Sequence, residues 1–198
     1  MARYIGPKIK ISRRYGVKLG LRTNEEAFTR RPYKPGDHGA KGRRGRLSEY
    51  GIQLHEKQKA KFIYGILERQ FHKYYREASK SGNVGLHLLQ TLETRLDTVV
   101  YRAGFTLTQN QARQFVNHGH VLVNGKLVTI PSFSTLPGMK ISLDPKLKTL
   151  IEDQRGHSAE VPVWLRHEKD YVEVLALPTR EQITSLINEQ LIVEHSSR

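Results

Sequence analysis

Residues 94–128 read TRLDTVVYRAGFTLTQNQARQFVNHGHVLVNGKLV, and this run decides the fold class. Leu92, Leu96, Val99, Val100 and Ala103 recur at helical spacing and predict a helix that Gly104 terminates. Thr108 then opens a capping box with Gln111 three residues on, and Ala112, Phe115 and Val116 supply the buried stripe of a short helix stopped at Gly119. Val121–Val123 and Lys126–Val128 flank Asn124-Gly125, the strongest hairpin signal a short stretch can carry, with positive φ expected at both turn positions. Two helices running into a hairpin begin a compact module.

Downstream, Pro137-Gly138 marks a second turn before a strand from about Met139 to Leu143. Val161–Leu165 and Tyr171–Leu177 read as further strands, and Thr179–Asn188 favours a short closing helix. Turns rather than βαβ crossovers link the strands, so the expected class is α+β with antiparallel hairpins. Upstream, Ser81–Gly85 is a turn, preceded by a helix from about Leu67 to Ser79. Its apolar residues Leu67, Phe71, Tyr74, Tyr75 and Ala78 share one face, and Arg69, Lys73, Arg76 and Lys80 share another. A further helix starts at Ser48 as its N-cap, with Glu49 and Glu56 ahead of Lys57, Lys59 and Lys61. No internal repeat recurs at a fixed period.

Charge divides the chain. Of its formal +14, all belongs to residues 1–80, which hold 21 Lys+Arg against 7 Asp+Glu; residues 81–198 hold 12 against 12. So uneven a distribution points to a localised polyanion-binding surface, for nucleic acid or an acidic membrane. Residues 1–46 carry 14 Lys+Arg and 3 Asp+Glu, and Arg30–Arg46 (RRPYKPGDHGAKGRRGR) is almost free of aliphatic side chains. Such a segment cannot bury a core alone and is expected to be a basic arm that orders against phosphates, or else a solvated linker. Tyr4, Tyr15 and Tyr33 among its cations offer stacking planes for an RNA partner.

Several classes are excluded or weakened. With no cysteine, disulfides, thiolate metal sites and thiol catalysis are ruled out by chemistry. No GxxxxGK loop, GxGxxG after a strand, or HExxH occurs, and the scattered carboxylates of the first half assemble no active site. His118-Gly119-His120 is the nearest approach to a metal motif, yet two histidines need further ligands. Capping of carbonyls and hydrogen bonding to RNA both remain open for them. No uncharged apolar run approaches membrane-spanning length, and Met1-Ala2-Arg3 leads into no secretory core, so a soluble, unexported chain is expected. An acidic-lipid binder would set exposed Trp, Phe or Leu beside its charge, whereas Trp164 lies far from the basic half.

The segments TRLDTVVYRAGF, QARQFV, HGHVLVNGK and IPS, in order from Thr94 to Ser132, resemble the small RNA-binding module named after small-subunit ribosomal protein S-four. MARYIGPKIKISRR, RRPYKPGDHG, LSEYGIQLHEKQKAKFIYGILERQF and INEQLIV narrow the match to the bacterial and organellar form of that ribosomal family. The resemblance covers nearly the whole chain and weakens between about Asp144 and Pro178. It implies a helical domain over 47–90 completed by 179–198, with the α+β module and its extension inserted at 91–178. It also implies a primary assembly protein that binds the five-prime domain of small-subunit ribosomal RNA at a multi-helix junction. Ribosomal protein S-five is the implied neighbour, at an interface that influences decoding accuracy, and the path by which mRNA enters lies nearby. Repression of its own operon occurs in some members. An RNA-modifying enzyme carrying the same module would need a catalytic domain beyond it, and none is expected within these 198 residues.

Two departures from the family stand out. Where many members place the first of their zinc-binding cysteine pairs, Lys8–Ser12 reads KIKIS, so no metal or other cofactor is expected. Many members also carry arginines where this chain has Gln109 and Asn110, which shifts the burden of charge toward the arm and the basic helix. The expected phosphate contacts are Arg3, Arg13, Arg14, Arg31, Arg43, Arg44, Arg46, Lys57, Lys61, Arg69, Lys73 and Arg76, with Tyr4 stacking. In the module, Thr108, Gln109, Arg113, Gln114, His118, His120, Asn124 and Lys126 are expected to read phosphate and 2′-hydroxyl positions.

Overall fold

Two units make up the computed structural model, which describes residues 4–17, 29–37, 39–40, 47–147, 161–168, 171–183 and 186–197. One comprises Met1–Gly85 with Ser185–Arg198, the other Leu86–Thr184. These boundaries fall after residues 85 and 184 rather than 90 and 178.

In the first unit the amino-terminal segment is not bare chain. Helix α1 (Lys8–Tyr15) buries Ile11 and ends at Gly16, whose φ of 67° supplies the left-handed turn that closes it. Phe62 of α2 (Glu49–Ile63) anchors the segment: the Tyr4 ring stands edge-on to it at 5.3 Å and Tyr15 lies 5.6 Å from it. Two of the three expected stacking planes therefore pack on protein, because sparse apolar residues suffice once another helix supplies the other half of the contact. Helix α2 opens as expected, the Ser48 hydroxyl accepting from the Gly51 N–H at 3.2 Å. Helix α3 (Glu68–Ala78) turns Phe71, Tyr74 and Ala78 inward.

The closing helix is displaced from its expected place. Thr179–Asn188 forms no helix among its described residues; the helix, α7, is Glu189–Ser196. Asn188 is its N-cap, with Oδ1 accepting from the Gln190 and Leu191 N–H groups, so the residue expected to end a helix instead begins one. Helix α7 returns to α2 and α3: Gln53 Nε2 donates to Glu194 Oε2 at 3.0 Å, and the Tyr75 hydroxyl donates to the Val193 carbonyl at 3.3 Å. Full burial of Ile192 adds about 2 kcal/mol to this closure.

The helix expected through Leu92–Ala103 is two helices, α4 (Val84–Glu93) and α5 (Leu96–Arg102). Segment 131–135 breaks it. The Thr94 carbonyl accepts from the Thr135 N–H and hydroxyl, both at 2.8 Å, while the Leu96 N–H donates to Phe133 and that of Asp97 to Pro131. Backbone groups taken up by a distant strand-like segment cannot continue a helical ladder. Helix α6 (Gln109–Asn117) starts at Thr108 and ends before Gly119, as expected.

Among the described residues five antiparallel strands follow: β1 (Val121–Val123), β2 (Lys126–Leu127), β3 (Lys140–Leu143), β4 (Leu165–His167) and β5 (Tyr171–Val174), ordered β2-β1-β3-β5-β4. Asn124 (φ 50°) and Gly125 (φ 76°) form the expected two-residue turn. The strand expected at Val161–Leu165 instead starts at Leu165, whose N–H closes a turn on the Pro162 carbonyl. One face of the sheet, with Val123, Ile141, Val172 and Val174, packs with Leu96, Val99, Val100, Ala112, Val116 and Trp164 into a single core.

Candidate nucleic-acid interface

Helix α3 carries the clearest cationic surface. Its inward residues fix the rotation of the helix, so Arg69, Lys73, Arg76 and the following Lys80 are all exposed. Among the described residues Lys73 has a loose partner, Glu77 at 3.9 Å, a spacing at which an exposed pair contributes little.

Lys57 and Lys61, one turn apart on α2, behave differently. Both ammonium groups reach the same carboxylate, Lys57 Nζ lying 2.5 Å from Glu68 Oε1 and Lys61 Nζ 2.6 Å from Oε2. The lysines' side chains are mostly buried, at 16% and 12% exposure, whereas Glu68 is 51% exposed. Burial acts to raise the Glu68 pKa, but hydrogen bonds and charge from the two lysines outweigh it and hold the pKa at about 2.

In the amino-terminal segment, Arg13 donates through Nε to the Tyr33 carbonyl at 3.0 Å and sets its guanidinium 5.0 Å from the centre of that ring. Arg14 and Arg31 are exposed. Burial raises the Tyr15 phenol pKa, partly countered by the charge of Arg14. Burial likewise raises that of Tyr75. Arg3, Arg43, Arg44 and Arg46 lie outside the described residues.

Within the module the polar residues sort into two groups. Gln114, Asn117, His118 and Lys126 are exposed. Others are engaged by the protein itself. Thr108 Oγ1 accepts from the Gln111 N–H, and Gln111 Oε1 accepts from the Leu107 N–H, so the capping box reaches one residue further back than its usual form. Gln109 donates to Thr98 Oγ1 at 3.1 Å, and Asn124 Oδ1 accepts the Lys140 N–H at 2.8 Å. His120 stands edge-on to Phe115 with Nδ1 3.9 Å from Asp144.

Arg113 is a correction. It is 8% exposed and reaches Asp97 Oδ2 at 3.4 Å, where Arg95 already makes a bidentate pair at 2.9 and 2.7 Å. A guanidinium so placed supports the core and is not presented to a sugar edge. Helical spacing alone cannot separate an arginine on the border of the buried stripe from one facing water. Lys140 was missed by the sequence reading: exposed at the start of β3, it sets its ammonium 5.0 Å from the Tyr171 ring centre. Its signal was available, since Lys140 and Tyr171 alternate with the inward Ile141 and Val172. Among the described residues no cluster of three or more His, Asp or Glu could hold a metal ion.

A basic helical unit joined to a small α+β module with an exposed polar helix and hairpin defines a class of RNA-binding protein. The family described as "Ribosomal protein S4/S9 N-terminal domain" matches residues 3–93, and that described as "S4 domain" matches residues 94–141. The proteins named "Small ribosomal subunit protein uS4" are similar along their whole length. That of Cutibacterium acnes is 50% identical over 207 residues, covering 100% of both chains. That of Chloroflexus aurantiacus is 48% identical over 210 residues with the same coverage. That of Leuconostoc citreum is 47% identical over 204 residues, covering 100% of this chain and 99% of its own. The chain belongs to the uS4 family of small-subunit ribosomal proteins.

Proposed function

We propose that this chain is a structural, non-catalytic component of the small ribosomal subunit, binding the five-prime domain of small-subunit ribosomal RNA at a multi-helix junction early in assembly. The observation that carries this reading is the exposed row of Arg69, Lys73 and Arg76 on α3, continued by Lys80 just beyond it. Cations at one-turn intervals can neutralise successive phosphates and release their counterions, stabilising a junction that phosphate repulsion would open. Gln114, Asn117, His118 and Lys126 on the module supply donors for sugar and phosphate oxygens. The reading extends to a place in the bacterial cytoplasm or an organelle, beside ribosomal protein S-five and the path by which mRNA enters, with an influence on decoding accuracy. The INEQLIV resemblance supports that extension, since it spans the Asn188 cap and the first turn of α7, which closes the basic unit.

A salt series of junction-RNA binding tests the proposal, comparing the full chain with Arg69→Gln/Lys73→Gln/Arg76→Gln. Removing residues 1–80 would strand α7 and Ile192, so side-chain neutralisation is the cleaner perturbation. At roughly 0.7–0.9 per phosphate, the log-log slope should fall by about 2–3. A folded variant with the slope of the wild type would overturn the assignment of α3.

A further inference from the structure

We infer that Glu68 is a positioning residue for RNA binding, an acidic side chain whose loss weakens the grip on a polyanion by releasing the paired ammonium groups of Lys57 and Lys61. The inference rests on the proposed RNA-binding function and adds to it a means of holding two of its cations in place.

The geometry is unusual for a basic surface. Two lysines on successive turns of α2 would repel each other and splay into water if nothing lay between them. Glu68, first residue of α3, places one carboxylate oxygen against each ammonium, so the two cations stand no further apart than a carboxylate and two hydrogen bonds allow. Their stems are largely buried, so each head group has little freedom beyond this position. Lys61 is fixed further by donating to Gln58 Oε1 at 3.0 Å.

A lysine ammonium has three N–H groups. Among the described residues Lys57 uses one on Glu68, and Lys61 uses one on Glu68 and one on Gln58. Two N–H groups on Lys57 and one on Lys61 are left for an outside acceptor. The cluster keeps a formal charge of +1, and its acid is half exposed while the two lysine side chains retain 16% and 12% exposure. One phosphodiester group, with two non-bridging oxygens, matches such a preformed pair of donors. Without Glu68 the same two charges would be ordered only at the moment of binding, at the cost of side-chain entropy.

Long-range electrostatics and positioning predict opposite signs. If Glu68 only repels phosphate, Glu68→Gln should bind RNA more tightly; if it positions the lysines, the variant should bind more weakly. One phosphate contact at 0.1 M salt contributes roughly five- to eightfold through counterion release, so a loss of about that size is expected, with a shallower salt slope. Glu77→Gln is the matched control. It removes an equal charge from the same helix beside Lys73, where no lysine pair is held, and should bind as the wild type does or slightly better.

The decisive measurement is a double-mutant cycle on the full chain with a junction RNA, thermal melting of each variant confirming the fold. Glu68→Gln introduced into Lys57→Ala/Lys61→Ala should cost no further affinity. An effect on packing alone would persist in that background. Glu68→Asp, which retains the charge but withdraws the oxygens by one methylene, should be intermediate, and it serves if the Gln variant does not fold. Equal or tighter binding by Glu68→Gln, or full additivity in the cycle, would overturn the inference. Indifference to the loss of both lysines would overturn it as well, whereas failure of the wild type to bind the RNA would instead reject the binding function on which it rests.

Discussion

Replacing Gly125 by valine isolates the backbone requirement of the β1–β2 turn. Gly125 has φ of 76°, and nothing lies within 4 Å of a Cβ added there, so the new side chain meets no neighbour and the cost is conformational. A left-handed residue other than glycine costs about 1–2 kcal/mol, and β-branching places valine at the upper end. For a unit of about this size, 1 kcal/mol moves the melting temperature by roughly 4–8 °C, so a loss of about 8–15 °C is expected. Trp164 reports the change well: it is the only tryptophan in the chain, and it is 2% exposed in the same core cluster as Val121 and Val123. Gly125→Asn should lose much less, since Asn tolerates this region, as Asn124 beside it does at φ 50°. Fluorescence-monitored melting of the full-length variants decides the matter. A valine variant melting as the wild type, or an asparagine variant melting with the valine one, would refute the argument from φ.

Asp97→Asn should destabilise the module by about 3–5 kcal/mol, because Arg95 and Arg113 would keep buried charges without their counterion; denaturant titration followed at Trp164 measures it. Ile192→Ala should cost about 2–5 kcal/mol in the helical unit, read from the near-ultraviolet signal of its buried Tyr64 and Tyr74. Glu68 has a folded pKa of about 2 against an ordinary 4.5, so its ionised form stabilises the fold above pH 4.5, and that contribution is lost as pH falls toward 2. The melting-temperature gap between wild type and Glu68→Gln should therefore be widest above pH 5 and narrow progressively below 4.5. A gap independent of pH over that range would contradict the ion-pair origin of the shift.

What the sequence disclosed was mostly local. Ser48 and Thr108 as caps, Asn124-Gly125 as a turn and the two faces of α3 each follow from chemistry within a few residues, and each is found in the structure except that Leu67, expected on the buried face, is exposed ahead of the helix. The misreadings share a different cause. The break between α4 and α5 is made by hydrogen bonds from residues 131–135, and α1 is held by an aromatic contact to Phe62, so neither is encoded near the segment it shapes. Asn188 carries the chemistry of a cap, and Ile183 and Ile187 ahead of it are buried without forming a helix. Among candidate contacts, the outward residues of α3 could be read because Arg69, Lys73 and Arg76 recur at helical spacing. Arg113 could not, because its partner Asp97 comes from another helix.

That difference sharpens the charge asymmetry seen in the sequence. Three arginines of the balanced half, Arg95, Arg102 and Arg113, are bound to carboxylates: Arg102 forks onto Glu93 at 3.0 and 2.7 Å, and the other two share Asp97. These cations hold the module together and have little charge left for a ligand. On α3, by contrast, Arg69 and Arg76 face water, and neither has a carboxylate partner among the described residues. A polyanion would thus meet available charge on the helical unit, whereas the polar helix and hairpin of the module offer amides, an imidazole and few free cations. Charge of the first kind sets affinity and its salt dependence. Neutral donors of the second kind suit 2′-hydroxyls and base edges, which carry the information that distinguishes one RNA from another.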